Sequence, residues 1–472
     1  MNNKDFMARN LAAHFCQYNG NVATCLEARS QLNSTKKLRD AGELAQSFVM
    51  SAERLAEKNP RITNTSWRAV TSICFALLGL AETFAADWPQ FLGPARNGVS
   101  AETNLASTWP KEGPVALWKM KVGQGWSGPV VSSNRIVIFH RVADREVVDC
   151  LNATNGASIW RAEYPATYRD DFGFEEGPRA TPSIDGQRAF TFGADGVLNC
   201  WDFSTGTNLW RVETRKQFGN DKGFFGIASS SLVEGNAVIL NIGGSGDAGI
   251  VAFDKSNGRV LWKATDEDAS YSSPVAATIA GQRRMFVFTR KSLVALNADG
   301  KVLWNFPWAP RIQASVSAAV PLVIGDQIFI SASYGTGTAL LRFGENKPEV
   351  VWSGDDILSN HYATSVHHGG FLYGFDGRQE QRCHLRCVDL KTGKVRWSDE
   401  HFGAGTLLVV GDKLLILTEG GELILAKTSS EKFSTIARAQ ILGAEIRAHP
   451  ALANGFFYAR DKGTLGCFDL RK

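Results

Sequence analysis

Residues 251–262 read V-A-F-D-K-S-N-G-R-V-L-W. An apolar run ends in Asp254, a polar turn closes on Asn257-Gly258, and a second apolar run ends in Trp262. Asn and Gly tolerate the positive φ of a tight turn, and flanking β-branched residues suit a pleated surface. The stretch therefore reads as a strand, a turn and a return strand. The same phrase recurs as N-A-T-N-G-A-S-I-W at 152–160, D-F-S-T-G-T-N-L-W at 202–210 and D-L-K-T-G-K-V-R-W at 389–397. A copy at 297–304 is one residue shorter, and 341–352 keeps Trp352 without the Asp and the Thr-Gly. The copy due near 426–438 has no Trp.

Self-similarity at roughly 40–50 residues, with about four short strands per unit, is the signature of a β-propeller. Between copies lie eight small-residue strand starts: Ser127-Gly128-Pro129, Ala180-Thr181-Pro182, Ser229-Ser230-Ser231, Ser272-Ser273-Pro274, Ala319-Val320-Pro321, Ala363-Thr364-Ser365, Gly405-Thr406-Leu407 and Ala448-His449-Pro450. The chain ends on half a unit, G-T-L-G-C-F-D-L at 463–470, while P-V-A-L-W at 114–118 is an outer strand with no unit of its own. Pairing the two closes the ring and removes both free edges. The expectation is an all-β fold: an eight-bladed propeller of four-stranded antiparallel blades over 114–472, led in by 87–113.

The remaining composition narrows the class. Among 472 residues, 46 Gly and 13 Trp suit a sheet-and-turn repeat. Net charge is only +4, and no Lys/Arg stripe interleaves with aromatics, which argues against a nucleic-acid surface. A closed ring with no free edge is expected to be a monomer. Cys150, Cys200, Cys387 and Cys467 share one repeat position that Ala252 and Ala295 fill elsewhere. A position that alternates Cys with Ala is a small buried strand site, so these thiols read as free packing groups; Cys383 lies on the same strand as Cys387 without a second pair for zinc.

The first 86 residues differ from the rest. Residues 1–60 do not fit the repeat and read as an extension of the true start. Residues 61–86 carry two Arg, an apolar run from Ala69 to Leu80, and Thr83-Phe84-Ala85-Ala86. That is the order of a signal peptide with its cleavage site, and the apolar run is too short and Ser/Thr-broken for a transmembrane span. A periplasmic or secreted mature chain without a membrane span follows.

With the D-x-x-[TS]-G-x-x-x-W copies in view, the chain resembles the pyrroloquinoline-quinone (PQQ) repeat propellers, a superfamily of quinoprotein alcohol dehydrogenases and BamB-like outer-membrane assembly factors. The opening D-W-P-Q-F-L-G-P at 87–94, with Arg96 and Gly98, is similar to the start of exported PQQ-like repeat proteins. The resemblance implies that Trp118, Trp160, Trp210, Trp262, Trp304, Trp352 and Trp397 dock against neighbouring blades. It is specific for fold and permissive for function.

Candidate site residues come from aligning the strand starts. The equivalent positions before them are Trp126, Arg179, Ala228, Tyr271, Ala318, Tyr362, Ala404 and Arg447. Loops nearby are acidic and aromatic, as in Tyr168-Arg169-Asp170-Asp171-Phe172 and Asp266-Glu267-Asp268. Trp126, Arg179, Tyr271, Tyr362 and Arg447 would suit a small planar anionic ligand by stacking and ion pairing. PQQ is such a molecule, although the same side chains would also plug a channel. An enzyme of this family would add Ca²⁺ on oxygen ligands and an Asp base; no Cys-Cys pair and no outstanding Asp is present. No cofactor is fixed by the residues, with PQQ and Ca²⁺ the possible pair. Gly243-Gly244-Ser245-Gly246 and Gly335-Thr336-Gly337 read as hairpin turns, and His361, His401 and His449 fall on the mouth face. The sequence reading is a non-catalytic envelope scaffold for a protein, peptide or small ligand, with a PQQ-dependent alcohol or sugar oxidoreductase as the alternative.

Overall fold

In the outer turns, Asp202 accepts the backbone N–H groups of Ser204 and Thr205, both at 2.9 Å, and Asp389 accepts that of Thr392 at 3.0 Å. These side-chain turns end one strand and launch the next. Stacking eight such units gives the architecture of the computed structural model, which describes residues 87–312 and 317–472. The extension and the signal-peptide-like segment lie outside the described residues. Blade 1 consists of Val130–Ser132, Arg135–Val142, Arg145–Asn152 and Ser158–Pro165. Blades 2 to 7 follow over 183–213, 232–264, 275–307, 322–354, 366–399 and 405–440. Blade 8 takes three strands from 451–469 and its outer strand, Val115–Lys121, from the other end of the ring, with Trp118 opposite Cys467. The closure is the one the orphan half-units imply. Helix is confined, among the described residues, to Thr214–Phe218 and a 3-10 turn at Gln379–Gln381.

The repeat motif is explained at the outer rim. Trp160 donates its indole N–H to the Phe203 carbonyl of blade 2 at 3.0 Å. Trp118, Trp210, Trp304, Trp352 and Trp397 make the same reach to Ala153, Lys255, Gly344, Leu390 and Ser429. The glycine of the next turn lies flat on that indole. At Gly206, where φ is +74°, a Cβ would sit 2.6 Å from the Trp160 ring. Gly156, Gly258 and Gly393 meet Trp118, Trp210 and Trp352 in the same way. The glycine is therefore required twice, by its left-handed φ and by the indole pressed against it.

The Cys/Ala position faces the Trp across the blade. Cys150, Cys200, Ala252, Ala295, Cys387 and Cys467 pair in register with Trp160, Trp210, Trp262, Trp304, Trp397 and Trp118. Blade 7 reverses the volumes: Leu425 pairs with Ala437 where a Trp is missing. Large opposite small conserves core volume either way; blade 5, with Leu340 opposite Trp352, is the exception. All five thiols are buried and free, and burial pushes Cys150 and Cys200 up to about 12. They are packing groups.

At the inner rim, the middle residue of the strand start hooks consecutive blades together. Thr181 Oγ1 accepts the Gly128 N–H at 3.1 Å, Ser230 Oγ that of Thr181 at 2.8 Å, and Ser273 Oγ that of Ser230 at 2.8 Å. Thr364 does the same for Val320 at 3.1 Å. Each hook satisfies an N–H that no strand partner reaches.

The lead-in 87–113 is more than a tether. Trp88 exchanges both backbone hydrogen bonds with Val131 of blade 1, and Pro89 accepts from Ile184 of blade 2. Leu92 is wholly buried with core residues of blades 4 and 5. Val99–Ser100 then pairs in parallel with the innermost strand of blade 7, and Leu105 bridges to Arg471. The segment thus crosses the central channel from blades 1 and 2 to blade 7. Arg96, 3% exposed, donates from its two terminal nitrogens to the carbonyls of Pro274 (2.5 Å) and Ser231 (2.6 Å). Burial lowers its pKa to about 9, against the pull of Glu234.

Candidate functional site

The loop entering each blade delivers one residue to the mouth of the channel because the preceding outer strand must return to the axis before the next blade begins. Trp126, Arg179, Tyr271, Tyr362 and Arg447 all line one cavity of about 180 Å³ that opens to solvent. Ala228 and Ala318 complete that tier, while Ala404 lies in the core beside it. The lead-in supplies the floor through Phe91, whose ring meets His449 edge-on at 5.4 Å.

Cations and aromatics dominate the geometry. The guanidinium carbons of Arg179 and Arg447 lie 4.8 Å and 4.6 Å from the Trp126 ring centroid, within cation–π range. The two arginines differ in pairing. Arg447 Nε donates to Glu419 at 3.1 Å, and the Tyr362 hydroxyl donates to the same carboxylate oxygen at 2.8 Å. Arg179 donates one hydrogen bond, to the Glu175 carbonyl at 2.9 Å. Its Nε and Nη1 are buried with no acceptor, and burial lowers its pKa. The mouth therefore holds a guanidinium with two donors left unpartnered, although the nearby carboxylates of Asp170 and Glu175 favour its charge.

Tyr271 uses its hydroxyl structurally, accepting the N–H groups of Phe224 and Phe225 at 3.0 and 3.2 Å. Several lining residues escaped the sequence alignment of strand starts: Phe174, Phe225, Tyr334, Gln379 and Glu380. Tyr334 arrives on the Gly335 hairpin and meets His361 Nε2 at 2.9 Å, while His361 Nδ1 contacts Gln379 Oε1 at 2.5 Å. Burial lowers the His361 pKa. His449 replaces the hydroxyl hook in blade 8; it is 6% exposed, neither ring nitrogen has a partner, and burial drives its pKa down to about 3. Of the three mouth-face histidines, His361 and His449 line the cavity and the exposed His401 does not.

The acidic loops do not converge. Asp170 caps its own loop through the N–H groups of Phe174 and Glu175, and Glu267 bonds Ser292 at 2.7 Å. Glu380 is the carboxylate in the lining, and among the described residues no three His, Cys, Asp or Glu side chains gather as a metal site. The donor set therefore fits a planar anion such as PQQ, but it does not fit the oxygen cage that Ca²⁺ requires.

A family model described as outer membrane protein assembly factor BamB, PQQ_2, matches residues 143–399. The chain belongs to this PQQ-like propeller family. Among solved structures, BamB from Moraxella catarrhalis is similar at 15% identity over 75% of this chain and 99% of that one, with a TM-score of 0.56. Quinohemoprotein alcohol dehydrogenase from Comamonas testosteroni reaches 0.60 at 14% identity, covering 84% of this chain and 82% of its own. A europium-containing methanol dehydrogenase reaches 0.62 at 12% identity, covering 82% and 92%. At such identities the likeness concerns the fold. No curated protein sequence matches the chain.

Proposed function

We propose that the chain is a non-catalytic propeller of the cell envelope, periplasmic or secreted, that binds an envelope protein, a peptide or a small planar anion at its mouth. The observation that carries this reading is the Arg179 guanidinium, two of whose nitrogens lack an acceptor, stacked with Arg447 on Trp126 at the head of an aromatic cavity. A carboxylate or comparable anion would supply the acceptors that Arg179 lacks, with charge-assisted hydrogen bonds of about 1.5–3 kcal/mol. The family's assembly-factor description supports a protein partner. No helix among the described residues is long and apolar enough to cross a membrane.

A PQQ-dependent oxidoreductase of alcohols or sugars is the second reading, favoured by the same cation–indole stack, which suits a planar carboxylated quinone. When bound, that quinone would supply the two-electron acceptor. Titration of the purified protein with PQQ, with and without Ca²⁺, separates the readings through tryptophan fluorescence and thermal shift. Saturable binding that ignores Ca²⁺ and disappears in Arg179→Gln supports an anion-binding mouth. Ca²⁺-dependent binding with dye-linked oxidation of an alcohol or aldose would establish the enzyme instead. Absence of any response at large excess removes the planar-anion branch.

A further inference from the structure

Four phenylalanines stand beside the cavity and extend its wall outward. Phe172 and Phe174 stack at 6.3 Å, Phe172 lies 5.3 Å from Phe225 and 6.3 Å from Phe224, and Phe225 continues to Tyr271 at 5.8 Å. Phe172 and Phe174 are 51% and 59% exposed. Their exposure is built in. Asp170 holds the turn beneath them by accepting the Phe174 N–H at 2.6 Å and the Tyr168 hydroxyl at 3.3 Å. Tyr271 pins the opposite loop through Phe224 and Phe225. Two phenyl rings held half in water leave apolar area uncovered, and contiguous exposed apolar surface marks interaction sites.

We propose that this aromatic lip is a docking surface for an extended segment of a partner protein that lays apolar side chains on Phe172 and Phe174 and sends an acidic side chain to Arg179. The proposal rests on the reading that the mouth receives an anionic group. Continuity argues for it: Phe174, Phe225 and Arg179 share the cavity wall, and the Arg179 guanidinium lies 5.9 Å over the Phe225 ring. Hydrogen bonding argues for an acid, because Arg179 keeps Nε and Nη1 without an acceptor, whereas Lys222 pairs with Asp171 and Arg169 with Glu176. Size argues for a polypeptide. Phe172 stands outside the cavity lining, beyond a small planar ligand seated against Trp126, whereas an extended chain advances about 3.3 Å per residue and bridges both places.

The test pans random dodecapeptides displayed on phage against the immobilised full chain and measures winning sequences by fluorescence anisotropy. Enriched peptides are expected to carry Asp or Glu within one or two positions of Phe, Leu, Ile or Trp. Their affinity should fall about tenfold or more in Phe172→Ser/Phe174→Ser and in Arg179→Gln, with the melting temperature of the double Phe variant unchanged. PQQ titration of the parent protein keeps the two proposals apart. If PQQ binds and no acidic–apolar peptide is enriched, the lip proposal is overturned and the anion-binding mouth stands; if neither binds, both are lost. Peptides that bind the double Phe variant as well as the parent also overturn it. Peptides that need both the rings and Arg179 support it whether or not PQQ binds.

Discussion

The outer rim and the axis of this ring obey different rules. At the rim, one contact repeats from blade to blade: an indole reaches forward to a neighbour's carbonyl, and the neighbour's turn glycine lies back on the indole. At the axis, the tier of equivalent residues holds Trp, Arg, Tyr and Ala in turn, and a segment from outside the repeat runs across it. A repeated contact stabilises the ring, and the copies vary within the volume rule that blade 7 still obeys with Leu425 and Ala437, blade 5 with Leu340 opposite Trp352 excepted. The axis carries no such constraint, because the hydroxyl hooks and the lead-in secure it independently. Stability and recognition are thus assigned to different radii of one object.

Four experiments would break or sharpen that division. Effects of similar, large size are expected at a rim glycine and a rim tryptophan. Gly206→Ala combines a left-handed φ, at about 1–2 kcal/mol, with overpacking against Trp160, at about 1–3 kcal/mol. Gly186→Ala, at φ +57° with nothing within 4 Å of the added methyl, should lose the backbone component alone. Equal losses in urea denaturation would deny the latch. Next, Trp397→Ala should cost about 3–5 kcal/mol, and adding Cys387→Leu, which recreates the blade 7 pair, should restore part of it while Cys387→Leu alone destabilises. Failure to rescue would show that volume exchange does not explain blade 7.

A third experiment lies between rim and axis, at Glu146 of blade 1. Its carboxylate accepts the Ala194 N–H at 2.9 Å and is 1% exposed as a residue. Burial raises its pKa to about 7, only partly offset by the hydrogen bonds of Tyr164 and Ala194. A raised folded-state value means that stability is fully present below about pH 4.5 and is lost as pH rises to about 7, by about 3 kcal/mol in all. Glu146→Gln should therefore raise the melting temperature at pH 7.5 and leave it unchanged at pH 4; a pH-independent effect would contradict this. The smallest stability change is expected on the axis. Arg179→Gln, which gives up stacking and one hydrogen bond, should cost about 1 kcal/mol of stability while weakening binding of a planar anion about 10- to 100-fold. A large loss of stability with intact binding would reverse the two roles.

What could be read from the sequence follows the same division. Strand starts, closure by 114–118 and the Cys-opposite-Trp position were legible because each recurs and can be compared with its copies. The five residues of the mouth tier were legible by position alone. The uses of two of them were not, since Tyr271 and Tyr362 spend their hydroxyls on Phe224, Phe225 and Glu419. Residues that occur once were invisible to a comparison of repeats. Phe91 reaches the cavity from the lead-in, Gln379 and Glu380 come from an insertion in blade 6, and Phe174 sits in the body of the loop entering blade 2, away from the aligned strand start. The acidic loops misled in the opposite direction, because caps and ligands use the same carboxylates and only geometry separates them.

Blade 8 draws its outer strand from 115–121 and its other three from 451–469. A ribosome makes the first of these long before the rest, so the seam can form only after all eight blades are made. Until then, blade 1 has no neighbour on one side and the 115–121 strand has no partner for its backbone. Ring closure thus waits for residues 464–469 to be made, and a chain short of them carries exposed strand edges of the kind that pair with the wrong molecule.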